Sequence, residues 1–192
     1  GCLAPFRGEK MKSLIVVDCQ YDFIDGSLAC ENSEQAVYRI IDYINKNDIR
    51  VYYSMDWHTR DNESFRINGG VWPVHCVQGE KGARLHDGFY RLVDHEKNRP
   101  NEENVFYKGM DDEVEEYSAY NAKNSRDEIL KDVLDGGVVV SGIASEFCVR
   151  ETVLALLAGG YRVEILEEGL GYVDSSEHKK NLKELEKKGV RI

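Results

Sequence analysis

The residues with chemistry to offer follow apolar, β-branched runs. In "VVVSGIASEFC" (138–148) a strand-like run passes through a Gly-Ile-Ala turn to Cys148, at the start of a helical stretch. A first helical turn has unpaired backbone N–H groups and a positive dipole end. A thiol there is predicted to have a lowered pKa, and the same N–H groups could hold an oxyanion. The competing reading is a small buried residue, the ordinary fate of a free cysteine. In "SLIVVDCQYDF" (13–23), Asp18 ends its run as either a turn-former or a base; in "VFYKG" (105–109), Lys108 taken singly reads as a solvated surface charge. A carboxylate, an ammonium and a thiol at the ends of three different strands nevertheless supply a nucleophile with a base and a charge partner, the pattern of covalent catalysis.

A second set suits a metal ion. "MDWHTRD" (55–61) continues a strand, and residues two apart in extended chain point the same way, so Asp56 and His58 converge while Trp57 faces the other side. A catalytic zinc-type ion wants three protein ligands and an open position, and His75 in "VWPVHCVQG" (71–79) offers the third. Spacing alone leaves open that His58 and His75 are unrelated surface histidines.

The elements that must position these groups alternate. Strands are expected at 13–17, 50–55, 104–108, 138–142 and 162–166, with "VRI" (190–192) as a sixth. Asn32 and Gln35 read as a capping pair for a helix burying Val37, Ile40, Ile41 and Ile44. Ser125 and Glu128 read as a capping box for a helix over 126–135 that Gly136 ends. A helix after Cys148 carries Val149, Val153, Leu156 and Leu157, and Asp174 with Glu177 caps a last one. The long stretch from 57 to about 103 is a loop of the kind that carries function. Strand–helix alternation predicts an α/β fold: a three-layer α/β/α, Rossmann-like, mainly parallel six-stranded sheet with helices on both faces, and ligands beyond its carboxyl edge.

The totals exclude several classes. The 192 residues carry a net charge of −10 with no Lys/Arg-dense block, which argues against nucleic acid or an anionic membrane as partner. No apolar run approaches the ~20 residues a membrane span needs, no signal-peptide pattern is seen, and five cysteines form no paired framework, so a cytoplasmic protein with free thiols is expected. Residues 1–12 read as an N-terminal arm, native or appended, ahead of one domain over 13–192.

"DCQYDF", "DWH" followed by "SF", "WPVHC", "VFYKG" and "SGIASEFCVRET" resemble, in order and spacing, the nicotinamidase/pyrazinamidase group of isochorismatase-like cysteine hydrolases. The resemblance implies a metal-containing amidohydrolase converting nicotinamide to nicotinate and ammonia in NAD salvage, with pyrazinamide as a further substrate and a homo-oligomer as a further expectation. It implies Asp18, Lys108 and Cys148 as the catalytic triad, and Ala144 and Cys148 N–H as the oxyanion hole beside a cis Ile143–Ala144 peptide. It also implies Phe23, Trp57 and Tyr107 around the pyridine ring. Asp56, His58 and His75 would bind one divalent metal, zinc first and iron or manganese next, with Glu63 or Ser64 at the place of a fourth contact. The chain departs from the pattern at Thr59 and at Ser145–Glu146. The competing readings are a carbamoyl or ureido amidohydrolase of the same superfamily, and a non-catalytic metal-binding or scaffold protein.

Overall fold

The structure is a computed structural model that describes residues 11–192, so the first ten residues of the expected arm lie outside the described residues. Its strands are β1 (Ser13–Val17), β2 (Arg50–Asp56), β3 (Val105–Lys108), β4 (Val138–Gly142) and β5 (Val163–Leu170). Its helices are α1 (Tyr21–Ile24), α2 (Ser33–Lys46), α3 (Gly88–Arg91), α4 (Leu130–Val133), α5 (Arg150–Ala158) and α6 (Ser175–Lys187). The strands form one parallel sheet in the order β3-β2-β1-β4-β5.

Alternation along the strands divides the core. Leu14 and Val16 of β1 join Ile40, Ile41 and Ile44 of α2 on one side; Ile15 and Val17 join Val149 just before α5, Val153 and Leu156 of α5, and Leu182 and Leu185 of α6 on the other. Both faces of β1 are therefore apolar, as a continuous β-branched run requires. The chain builds outward from β1 through β2 to β3, then crosses to β4 and β5 on its other side. That reversal opens a crevice between the carboxyl ends of β1 and β4. Their close approach fixes a glycine: a Cβ on Gly142, at φ 117, would lie 2.1 Å from the Val17 carbonyl oxygen.

Four expectations change. The sheet has five strands, not six, because residues 190–192 contribute a single bridge, Arg191 to Glu164 on β5. The helix expected over 126–135 shrinks to the one turn of α4. There the Asn124 carboxamide oxygen accepts the N–H groups of Arg126 and Glu128, both at 3.0 Å, and Asp127 is left-handed at φ 59, so a local turn outcompetes the helix. Ser125 consequently makes no cap. Asn32 is left-handed as well and turns its amide to the Leu170 carbonyl, so the apolar stripe rather than a capping pair stabilises α2. Asp174 does cap α6, accepting from the Glu177 N–H at 2.9 Å. No helix among the described residues is long and apolar enough to cross a membrane.

Candidate active site

Asp18 follows β1 directly, and Asp56 and Lys108 are register partners at the ends of β2 and β3. Cys148 stands in a π-helical turn, Ser145–Val149, between β4 and α5. The parallel register therefore delivers all four side chains to the crevice, where all four are buried. The Lys108 ammonium lies 2.9 Å from Asp18 Oδ2, bonds Asp56 Oδ1 and approaches Cys148 Sγ at 3.5 Å. Ser54 Oγ donates to Asp18 Oδ1 at 2.7 Å. Asp18 Oδ2 accepts no hydrogen bond of good geometry despite the nearby lysine, and a carboxylate oxygen of Asp18 stands within 4.8 Å of the thiol sulfur. Asp18 holds this place in the left-handed region, φ 49, a conformation costing about 1 kcal/mol for a residue with a side chain.

One lysine faces two carboxylates. Burial pushes the Asp18 carboxyl above its ordinary range, Lys108 offsets only part of the rise, and Asp56 adds to it. Burial also pushes Asp56 upward, but Lys108, then His58 and His75, outweigh it and hold that carboxyl below the usual range. Burial disfavours charge on Lys108 too, yet Asp18, Asp56 and Cys148 raise its pKa well above that of a free lysine. For Cys148 burial dominates again: the thiol is pushed well up, with Lys108 pulling it back and Asp18 and Asp56 pushing it further. The expected lowering of its pKa does not occur, because the turn's N–H groups face both desolvation and two carboxylates. The resting thiol is neutral.

The second set also assembles. His58 Nε2 lies 3.5 Å and His75 Nε2 3.9 Å from Asp56 Oδ2. Each ring donates its Nδ1–H to a backbone carbonyl, His58 to Gly109 at 2.7 Å and His75 to Pro73 at 2.8 Å. Those bonds fix the tautomer that leaves both Nε2 lone pairs beside one carboxylate oxygen, a donor set and outer shell that fit a divalent cation such as zinc. The cradle is tight: a Cβ on Gly109 (φ 72) would come within 2.5 Å of His58 Cε1. Gln20, which the sequence reading passed over, grips Asp56 from behind, accepting its N–H at 2.9 Å and donating to its carbonyl at 2.8 Å. Of the two candidates for a fourth contact, Ser64 lines the pocket, whereas Glu63 is exposed and faces a separate cleft.

Cys148 of the first set and Asp56, His58 and His75 of the second line one pocket, with Asp18 and Lys108 buried behind them. Phe23 lines it, tilted against His75 with centroids 5.5 Å apart. Trp57 and Tyr107 do not. They pack on each other at 5.3 Å and line a different cleft, because strand alternation turns them away from Asp56, His58 and Lys108. The aromatic walls are instead Trp72, Tyr117 and Phe147. Trp72 stands edge-on to Phe147 at 5.3 Å, and its Nε1–H donates to Glu115 at 2.9 Å; Glu115 also accepts from the Tyr117 hydroxyl. Trp72 was legible as three residues before His75 in a Pro-stiffened loop. Tyr117 and Phe147 carried no comparable signal. The Ile143–Ala144 peptide is cis, as the resemblance implied, and the Ala144 N–H donates to no acceptor among the described residues.

Comparisons with known proteins agree with this geometry. The isochorismatase domain model matches residues 12–192. Nicotinamidase of Escherichia coli (strain K12) is 33% identical, with 82% of each chain covered. Among solved structures the chain is similar to the pyrazinamidase of Pyrococcus horikoshii in complex with zinc (TM-score 0.81, 29% identity, 95% of this chain and 98% of that one). It is also similar to an L. infantum protein in complex with nicotinate (TM-score 0.80, 30% identity, 94% and 91%). With the family match spanning nearly its whole length, the chain belongs to the isochorismatase family and, within it, to the nicotinamidase group.

Proposed function

We propose that the protein hydrolyses nicotinamide to nicotinate and ammonia, with Cys148 as nucleophile, Asp18 as proton carrier and Lys108 as their charge partner. The observation that carries the reading is a thiol, backed by a buried ammonium and carboxylate, that lines the same aromatic-walled pocket as an Asp/His/His set.

The electrostatics favour internal proton transfer. With Asp18 and Asp56 ionised and Lys108 charged, the three hold one net negative charge, and ionising Cys148 outward would double it in a buried site. Passing the thiol proton to Asp18 leaves the total unchanged. A raised Asp18 pKa makes that carboxylate the better base, and Lys108, near both sulfur and carboxylate, holds the charge in either arrangement. The thiolate then attacks the carboxamide carbon, and the resulting oxyanion is held by the N–H groups of Ala144 and Cys148. Collapse expels ammonia with the proton from Asp18 and leaves a thioester. Asp18 next takes a proton from water, whose oxygen attacks the thioester carbon; the Asp18 proton returns to sulfur, and the carboxylic acid product departs, giving its remaining proton to ammonia or solvent to become nicotinate.

Phe23 and Trp72 offer apolar faces to a flat ring, and burial of those faces orients it at low entropic cost. A divalent ion on Asp56, His58 and His75, zinc in this proposal, would supply a Lewis-acid position for the pyridine nitrogen. The carbamoyl and ureido alternative gives no use for that donor set. Purified protein should release ammonia and nicotinate in equal amounts from nicotinamide and contain about one metal per chain. Metal-bearing protein that leaves nicotinamide untouched while hydrolysing a carbamoyl amide would reverse the choice.

A further inference from the structure

The nucleophile's turn is held from behind by a polar cluster that the reaction itself does not use. Ser145 is fully buried, and its hydroxyl meets His178 Nδ1 at 2.7 Å and Asn181 Nδ2 at 3.3 Å. The Asn181 amide also donates to the Ser145 carbonyl at 2.8 Å, and the Ser145 N–H donates to Gly171 at 2.8 Å. His178 stacks flat on Tyr172, with centroids 4.3 Å apart and planes 9° from parallel. Asn181 accepts from Arg150, which opens α5 two residues after Cys148 and also pairs with Glu184 at 3.0 Å. Glu146 accepts the N–H groups of Val173 and Asp174 at 3.0 and 2.9 Å. The side chains of Ser145 and Glu146, and the Ser145 N–H, thus point away from the pocket and toward α6 or the loop before it.

We infer that His178 and Asn181 are positioning residues which, acting through Ser145, fix the 144–148 turn so that the thiol and its two N–H donors keep the spacing the reaction needs. The inference rests on the functional reading above. A π-helical turn is wider than an α-helical one and is favoured at functional sites, where it aims a side chain the regular helix would not. Such a turn gains its rigidity from outside. A misplacement of about 1 Å in reacting groups costs on the order of 10²-fold in rate. Ser145 and Glu146 are also where the chain departs from the cysteine-segment motif it resembles, and neither touches the pocket: their role is to dock the turn on α6, not to select the amide.

The test is kinetics per folded enzyme on Ser145→Ala, Ser145→Thr and His178→Phe, which keeps an aromatic ring on Tyr172 but removes Nδ1. The probes are nicotinamide, nicotinate and pyridine-3-carbaldehyde. The aldehyde reports the tetrahedral geometry: the Cys148 sulfur bonds the carbonyl carbon, the C=O π pair moves to oxygen, and the thiol proton ends there. Ser145→Ala and His178→Phe should lower kcat about ten- to a hundredfold with KM within about threefold, and weaken the aldehyde by the same factor. Competition by planar, non-covalent nicotinate should stay unchanged, and Ser145→Thr, which keeps a hydroxyl, should recover kcat to within about threefold. If His178→Phe does not fold, Ser145→Ala decides alone. A folded Ser145→Ala with kcat within twofold of wild type overturns the inference, as does equal weakening of aldehyde and nicotinate, the mark of a collapsed pocket. Wild-type protein that releases no ammonia overturns the functional reading and the inference with it; wild-type turnover with unaltered variants overturns the inference alone.

Discussion

Replacing Asp18 by Asn separates the chemistry of the site from its stability. The change is nearly isosteric and keeps an oxygen for the Ser54 hydroxyl, which donates at 2.7 Å. It removes the proton acceptor facing Cys148 and leaves Lys108 paired with Asp56 alone. Asp18 is asked to carry a proton from sulfur, to ammonia and from water, so the loss belongs at the upper end of general acid–base effects, about 10⁴-fold in kcat. At 1.36 kcal/mol per decade that is about 5.5 kcal/mol of transition-state stabilisation. Stability moves the other way. The Asp18 pKa is higher folded than unfolded, so its stabilising contribution is full below the unfolded pKa and lost as pH rises through the folded one. Above the unfolded pKa the buried carboxyl is therefore a net cost, which Asn removes, and the variant should melt at or above the wild-type temperature. Ammonia release and a thermal melt on the same sample check both halves. Retention of more than a tenth of wild-type kcat would refute the role of Asp18, and a lower melting temperature would refute the electrostatic reasoning.

Three further outcomes follow from the geometry. The acid limb of kcat/KM should fall at a pH above the ordinary aspartate range, since activity needs ionised Asp18 and its folded pKa is raised; a limb at or below 3.8, the ordinary aspartate value, would contradict this, read as a property of the Asp18, Lys108 and Cys148 cluster as a whole. Trp72→Leu should raise KM for nicotinamide about tenfold or more by removing an aromatic wall, while Trp57→Leu leaves KM within about twofold; the opposite pattern would restore Trp57 to the pocket. Gly109→Ala should lower bound metal per chain, because its Cβ would meet His58 Cε1 at 2.5 Å and the left-handed φ is strained for alanine; elemental analysis showing wild-type metal would remove His58 from the ligand set.

Asp18, Lys108 and Cys148 were legible because each follows a run apolar on both faces, and a parallel sheet brings such ends to one edge. Asp56 and His58 were legible from the two-residue period. That same period places Trp57 and Tyr107 opposite the ligands, so assigning them to the pocket by resemblance went against the strand geometry already in hand. The walls that do line the pocket come from irregular segments around residues 72, 117 and 147, which no periodicity reports. Asn124 and Asp127 show the matching limit for helices: a side chain bonding its own backbone undid an apparently good capping box. The neutral resting state of Cys148 was hidden for another reason, since it depends on burial and on two carboxylates brought from distant strands.

The central claim is a covalent bond between substrate carbon and Cys148. Acid-quenching the enzyme during turnover of nicotinamide and mapping peptides by mass spectrometry tests it directly. The account predicts a nicotinoyl thioester on the peptide containing Cys148, absent from those containing Cys19, Cys30 and Cys76, and no ammonia from Cys148→Ala. Undiminished ammonia release by Cys148→Ala, or an acyl group on a different residue, would contradict it.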